Sequence, residues 1–252
     1  MVPLENARPN GTPASDPPVP GADCTDESTL EHAPQVRSYI RFPQTQAGTT
    51  GWSAAMKVPV EEIKKALDKS FSIPGLYRRQ EAAFLYKLAR RKGNLVELGC
   101  WMGRTTSIML QAASIWHAQL TTVDAFTPMP NDRKSATPER WKKNLKKVGL
   151  TPPNLLAMTT NEAITIYPHD QEIALLFIDA HHGYLSVMFD LINWTPLIKI
   201  GGCVALHDMF FPSITGVCQA VTEWWCKERD ENDPRWKYIG QRDFTIAFQR
   251  QR

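Results

Sequence analysis

The sequence lacks the features that mark membrane proteins, secreted disulfide-rich proteins and zinc-binding proteins. No apolar run approaches the ~18 residues that a membrane-spanning helix needs, and the first residues contain no apolar segment typical of a secretion signal. The cysteines form no C-x-x-C pair, and Cys100, Cys203 and Cys218 lie among apolar residues. This usage indicates reduced thiols, and it predicts a cytoplasmic protein without a structural zinc site.

An excess of charge of one sign is also absent. The 252 residues include 29 Lys or Arg and 26 Asp or Glu, which gives a net charge of +3. The basic residues of segment 137–148 form one local cluster, which is typical of a solvated helix face. We therefore expect neither nucleic acid nor a membrane as a partner.

Residues 1–55 differ in composition from the rest of the chain. Eight prolines fall there, with Gly, Ser, Thr and Asp between them. Such a segment buries little apolar surface and cannot offset the entropy lost on ordering. The sequence predicts a proline-rich, largely disordered N-terminal tail over 1–55 and one folded domain over 56–252.

From Val60 onward, helix-like and strand-like segments alternate. Two amphipathic helices are predicted over 60–69 and 75–93. The predicted strands that follow are 94–99, 119–126, 154–160, 173–180 and 201–208, and the predicted helices between and after them are 104–117, 137–148, 161–166, 184–197 and 214–229. Short apolar strands separated by helices indicate a buried parallel sheet, and the C-terminal segments "RWKYIG" and "DFTIAFQR" predict an antiparallel hairpin. The expected fold is α/β: a doubly wound, Rossmann-like, mostly parallel seven-stranded sheet with this hairpin at its end.

Polar and ionisable residues concentrate where the predicted strands end. These ends read Glu97-Leu98-Gly99, Asp124-Ala125-Phe126, Thr159-Thr160-Asn161, Asp179-Ala180-His181-His182 and His207-Asp208. In open α/β sheets, ligands bind beyond the carboxyl ends of the strands, near the point where the strand order reverses. The sequence therefore predicts one ligand site along this edge.

The stretch "ELGCWMGRTT" predicts a turn from the first strand into a helix. Its glycine spacing, Gly99-x-x-x-Gly103, differs from the G-x-G-x-x-G of nicotinamide dinucleotide folds. Gly99 permits a sharp turn and the close approach of a ligand, and Gly103 begins a helix whose free N–H groups favour an anion. Thr105 and Thr106 lie in the first helical turn, where capping and ligand contact remain equal alternatives.

Two acidic residues complete this predicted ligand site. Glu97 offers an acceptor for an ammonium group beside the turn, and Asp124 ends the second strand, where an acidic residue holds a ribose in nucleotide folds. A ligand with an amino-acid end and a ribose end matches both residues. The expected cofactor is S-adenosylmethionine.

From about Gly75 to Gln249 the chain resembles the class I S-adenosylmethionine-dependent methyltransferases. It is most similar to the branch whose motifs read E-[IL]-G-x-x-x-G-[RK]-[ST]-T, I-D-x-x-H-x-Y and G-G-x-x-x-x-H-D. The corresponding stretches here are "ELGCWMGRTT", "FIDAHHGY" and "GGCVALHD", and the helix "YRRQEAAFLYKLAR" is also similar. The resemblance implies small-molecule O-methylation, and it implies that the adenine lies near Asn161.

The resemblance also implies roles for the fourth and fifth strand ends. Metal-dependent relatives hold a divalent cation there, which makes Asp179, His207 and Asp208 candidate metal ligands, although a histidine at 207 suits Mg²⁺ poorly. His182 matches the histidine of the I-D-x-x-H motif and is the predicted proton acceptor, with His181 pointing away. Asp179 is predicted to serve the catalytic site with His182 and the cofactor site as well. The alternative is that these residues only hydrogen-bond one another.

The sequence therefore predicts a cytoplasmic methyltransferase that acts on a small-molecule hydroxyl. One alternative keeps the cofactor site but resembles the cephalosporin hydroxylases in its chemistry. Another is a non-catalytic module that binds the cofactor or a partner protein. The acceptor stays open, and so does the oligomeric state, for which a homodimer is one alternative.

Overall fold

The computed structural model describes residues 58–128, 136–228 and 235–252. The predicted N-terminal tail lies outside these residues, and so does the start of the predicted domain at 56. Seven strands are present: β1 Asn94–Leu98, β2 Leu120–Val123, β3 Asn154–Leu156, β4 Ile173–Ile178, β5 Ile198–Leu206, β6 Trp236–Arg242 and β7 Thr245–Arg250. The α-helices are α1 Val60–Ser70, α2 Arg79–Ala89, α3 Arg104–Ala113, α4 Pro138–Lys147, α5 Thr160–Ile166, α6 Tyr184–Trp194 and α7 Thr215–Glu228.

The strands form one sheet in the order β3-β2-β1-β4-β5-β7-β6. Strands β1 to β5 are parallel, and β7 pairs antiparallel with both β5 and β6. The strand order reverses between β1 and β4, which places the switch point at the carboxyl ends of these two strands. The predicted fold class, including the terminal hairpin, is confirmed.

Successive side chains of each strand point to opposite faces of the sheet, so the apolar core forms one layer on each face. Val96 and Leu98 of β1 pack with α5, α6 and α7 on one face, whereas Leu95 packs with α1, α2 and α3 on the other. Glu97 therefore points to the face covered by α3. A smaller apolar cluster seats α4 against the glycine turn through Trp141 and Leu145.

Several elements differ in length from the sequence-based expectation. Strands β2 and β3 end at Val123 and Leu156, because the chain turns directly after each of them. Thr159 caps α5 by accepting from the N–H of Glu162. Helix α3 ends at Ala113 and continues as one turn of 3-10 helix.

Among the described helices, none combines the length and the apolar character that a membrane span requires.

Candidate active site

The glycine turn packs against the neighbouring strand end. Gly99 has a φ of +85°, and a Cβ on it would lie 2.1 Å from the carbonyl oxygen of Asp179. Gly103 has a φ of +93°, and a Cβ there would lie 3.0 Å from Trp141. The position that a Cβ of Gly99 would occupy is thus filled by the backbone that follows β4, and the contact of Gly99 with a ligand stays a prediction. The glycine is needed for this close approach of two strand ends.

Glu97 is fully buried beneath the turn. Its Oε2 accepts a 2.6 Å hydrogen bond from Thr106, whose hydroxyl in turn accepts from the indole N–H of Trp141 at 3.2 Å. Its Oε1 is buried and has no hydrogen-bond partner among the described residues. Burial raises the pKa of this carboxyl to about 8, although the hydroxyls of Thr105 and Thr106 act to lower it. The two threonines thus contact Glu97, and one carboxylate oxygen retains its accepting capacity.

Asp124 fixes the glycine turn from the end of β2. Its Oδ2 accepts from the backbone N–H groups of Cys100 and Trp101 at 2.8 and 2.7 Å, and its Oδ1 accepts from Phe126 at 2.6 Å. A carboxylate has about four acceptor positions, so Oδ1 can accept one further donor. Asp124 therefore has a structural role as well as the predicted contact with a ribose.

An open groove of about 510 Å³ runs beside the ends of β2 and β3. Its lining residues are Ala125, Ala157, Met158, Thr159, Glu162, Thr165 and Ile166. Asn161, the residue predicted to lie near the adenine, is exposed and is not among these lining residues. The residues that line the groove come from the segment after β2, from the β3–α5 turn and from α5.

A group of carboxylates and imidazoles lies beyond β4 and β5. The Nε2 of His182 is 3.0 Å from Asp208 Oδ2 and 3.7 Å from Asp179 Oδ1. His181 is exposed, and its ring only accepts from the N–H of Gly183. The predicted inward orientation of His182 is therefore seen. Asp179, His182 and Asp208 each offer a ligand atom, and these atoms lie within 4.8 Å of one another.

His207 lies beside this group, and the metal set of Asp179, His207 and Asp208 stays a prediction. The Nδ1 of His207 is 3.2 Å from Asp179 Oδ1, but its Nε2 faces inward, 3.2 Å from Oε1 of Glu81. The imidazole thus lies between the carboxyls of Glu81 and Asp179. The donor atoms that converge belong to Asp179, His182 and Asp208, and His207 is not in this group. The ring of Tyr77 packs on His207 with centroids 4.8 Å apart.

The protonation states of this group are strongly coupled. The nearby carboxylates of Asp179 and Asp208 raise the pKa of His182 to about 9. Burial lowers the pKa of His207, but the carboxylates around this imidazole outweigh burial and raise that pKa to about 12. Burial raises the pKa of Asp208 and Asp179, but the two histidines reverse this effect and hold both below their usual range. The carboxylates thus strongly favour the positively charged form of both imidazoles.

Glu81 was not singled out from the sequence, although a signal was present. It lies in the first turn of α2, on the same face as Leu85 and Leu88, which are fully buried. A carboxylate on an apolar stripe is rarely buried without a partner. This position could have indicated an interior acid before the structure was known.

Comparisons with known proteins agree with this geometry. Residues 96–209 match the family model described as a methyltransferase domain. The chain is similar in structure to the O-methyltransferase NovP, with 18% identity, a TM-score of 0.59, and coverage of 76% of this chain and 97% of that one. No curated protein sequence gives a significant match.

Two further solved structures share the fold. An O-methyltransferase from Bacillus cereus in complex with SAH has 13% identity and a TM-score of 0.55, and the alignment covers 79% of this chain and 94% of that chain. An SAH-bound methyltransferase from Podospora anserina, PaMTH1, has 16% identity and a TM-score of 0.53, with 79% and 92% covered. These structures confirm the predicted fold, and the methyltransferase family model covers residues 96–209 of the chain.

Proposed function

Given a methyltransferase domain with this strand-end site, we propose that the protein transfers a methyl group from S-adenosylmethionine to a hydroxyl oxygen of a small molecule. One observation carries the proposal. The unpartnered, buried Oε1 of Glu97 and the inward-pointing His182 lie at the carboxyl ends of adjacent strands, on either side of the switch point. An acceptor for a ligand cation and an acceptor for a substrate proton thus share one edge of the sheet.

The chain's own residues fit the cofactor at both of its ends. Glu97, which is protonated at neutral pH because of its raised pKa, would release this proton when the ammonium group binds and accept from it through the buried, unpartnered Oε1. The N–H groups of α3 that follow Gly103 would face the carboxylate. The open groove beside β3 suits the adenine, and Asp124 has one acceptor position left for the ribose. In this proposal the groove residue Met158 contacts the base, and Asn161 lies at its margin.

S-adenosylmethionine supplies an electrophilic methyl group on a sulfonium, and the chain's task is to align an acceptor oxygen with it. Alignment of this kind can contribute about 7–11 kcal/mol of barrier lowering. Because its pKa is about 9, His182 is mostly protonated at neutral pH, and its neutral form, which becomes more populated as pH rises, would receive the proton of the acceptor hydroxyl at Nε2. In this proposal Asp179 and Asp208 stabilise the imidazolium that forms.

A divalent cation also fits this group of residues. Asp179, His182 and Asp208 converge closely enough to share one ion, and His182 Nε2 has no aligned hydrogen-bond partner. Two carboxylates and one imidazole suit Mn²⁺, Fe²⁺ or Co²⁺ at least as well as Mg²⁺. A bound ion would orient the acceptor hydroxyl and lower its pKa. It would compete with the proton of His182, since a ligating imidazole must be neutral.

Aromatic residues near the β5 end favour an apolar or aromatic acceptor. Phe211 and Phe244 have ring centroids 5.1 Å apart, and the Arg78 guanidinium lies 4.7 Å from the Phe244 centroid. The carbonyl of Phe244 accepts from the N–H of Met209, directly after Asp208, which keeps these rings beside the acidic group.

The proposal can be tested with a pair of probe acceptors that differ only in free hydroxyl groups. Purified protein is incubated with S-adenosylmethionine and either catechol or its dimethyl ether, and S-adenosylhomocysteine is quantified. We expect product with catechol and none above background with the ether. Equal amounts with both acceptors would contradict transfer to a hydroxyl oxygen.

A further inference from the structure

Glu81 is a buried carboxyl whose hydrogen-bond donors are all neutral. It is fully buried, and its Oε2 accepts from the N–H of Arg78 at 3.0 Å in the first turn of α2. Its Oε1 accepts from the N–H of Phe244 at 3.0 Å and from the hydroxyl of Thr245 at 3.2 Å. These donors are all neutral, and neutral donors alone rarely offset the burial of a carboxylate charge.

The basic side chain beside this carboxyl is His207. In the described part of the chain, His207 is the one basic side chain within 4.0 Å of the Glu81 carboxylate, at 3.2 Å. The other ring nitrogen of His207 lies 3.2 Å from Asp179 Oδ1 and 3.4 Å from Asp208 Oδ1. A buried ion pair is costly unless its geometry is well satisfied, so the arrangement calls for a reason beyond stability.

We propose that Glu81 is a positioning residue that holds the imidazole of His207 against Asp179 and Asp208, and so orients the carboxylates that act on the acceptor. The proposal rests on the proposed methyl transfer. Among the described contacts, Glu81 touches neither Asp179 nor Asp208. It acts on these aspartates through the imidazole of His207.

The residues around His207 limit the orientation of its imidazole. Tyr77 packs against one side of the imidazole, and its hydroxyl is 2.9 Å from the hydroxyl of Thr245, which also contacts Glu81. The ring therefore has an aromatic wall and the Glu81 carboxyl 3.2 Å from Nε2, although these two atoms are not aligned as a hydrogen bond, and Nδ1 is directed at the site. Because side chains held by outer partners lose alignment when those partners are removed, Glu81 should influence turnover more than binding.

The test compares Glu81→Gln with Thr245→Val as a matched control. Gln keeps the size and one acceptor oxygen but removes the charge, whereas Val removes a hydroxyl from the same cluster and leaves the charge in place. The first measurement is the ring ¹⁵N resonances of His207 in histidine-labelled full-length protein, assigned with His207→Asn. We expect these resonances to move in Glu81→Gln and to stay near the wild-type positions in Thr245→Val.

The second measurement is turnover with S-adenosylmethionine and catechol. We expect kcat to fall about 10-fold to 100-fold in Glu81→Gln, with KM for catechol and Kd for the cofactor close to wild type. In a His207→Asn background, adding Glu81→Gln should change kcat little further, because the two residues act as one unit.

The possible results test the positioning role of Glu81 and the proposed methyl transfer separately. Unmoved His207 resonances in Glu81→Gln, or equal losses of kcat in Glu81→Gln and Thr245→Val, would overturn the positioning role. If Glu81→Gln does not fold, Glu81→Asp keeps the charge on a shorter side chain, and its kcat must fall below that of Thr245→Val. A wild-type protein that methylates nothing would refute the proposed function, while the resonances would still show whether Glu81 positions His207.

Discussion

His182 Nε2 lies 3.0 Å from Asp208 Oδ2, at the meeting point of the β4 and β5 ends. The neighbouring His181 is exposed and contacts only its own turn through its ring. Two adjacent histidines thus have opposite environments. Variants of the two residues therefore compare an imidazole inside the acidic group with an imidazole at the surface.

Replacing His182 by Ala should slow methyl transfer, whereas His181→Ala should leave it near wild type. Removal of a positioned proton acceptor costs about 10²–10⁴-fold in rate. Initial rates with catechol and cofactor affinity by calorimetry are the measurements. Comparable rates in the two variants, with both proteins folded, would exclude His182 as the proton acceptor.

Chelation tests whether Asp179, His182 and Asp208 hold a catalytic cation. If they do, activity should vanish after prolonged treatment with a chelator and return with Mn²⁺, Fe²⁺ or Co²⁺ at least as well as with Mg²⁺, because one ligand is an imidazole. Asp208→Asn should lower the metal content found by elemental analysis. Full activity in protein shown to be metal-free would refute a catalytic ion.

Gly99→Ala should destabilise the protein far more than Gly201→Ala. Both glycines have a positive φ, +85° and +77°, but a Cβ at Gly99 would lie 2.1 Å from the Asp179 carbonyl, whereas nothing lies within 4 Å at Gly201. Backbone strain alone costs about 1–2 kcal/mol. We expect that loss for Gly201→Ala and more than about 4 kcal/mol for Gly99→Ala, measured by urea unfolding. Similar losses would show that the two strand ends separate readily.

The buried carboxyl of Glu97 should make stability depend on pH. Its pKa is raised from 4.5 to about 8, so between these values the folded protein holds a proton that the unfolded chain has released. Stability from this group is present below the lower value and is lost as pH rises through the higher one, by at most about 1.4 kcal/mol per pH unit.

Glu97→Gln removes this titration. The free energy of unfolding of the variant relative to wild type should therefore rise steadily between pH ~5 and ~8. Denaturant unfolding at several pH values measures it. A difference that does not vary with pH would mean that Glu97 is ionised throughout this range in the folded protein.

The fold and the edge that carries the site could be predicted from the sequence, because strand interiors are apolar and strand ends are polar. The strand order could not, since buried parallel strands such as β1 and β4 carry nearly the same apolar pattern. The glycine turn was located correctly, but its packing on the Asp179 carbonyl depends on a contact between distant segments. The partnership of Glu81 with His207 was missed for the same reason, because nothing local links a helix residue to a strand end.

The central claim is that the methyl group of S-adenosylmethionine is transferred to a hydroxyl oxygen. The most direct measurement uses S-adenosylmethionine with a deuterated methyl group and catechol, followed by mass spectrometry and NMR of the product. The account predicts a product that carries one intact deuterated methyl group bonded to oxygen. A product that gains an oxygen atom without the label, or that carries the label on carbon, would contradict it.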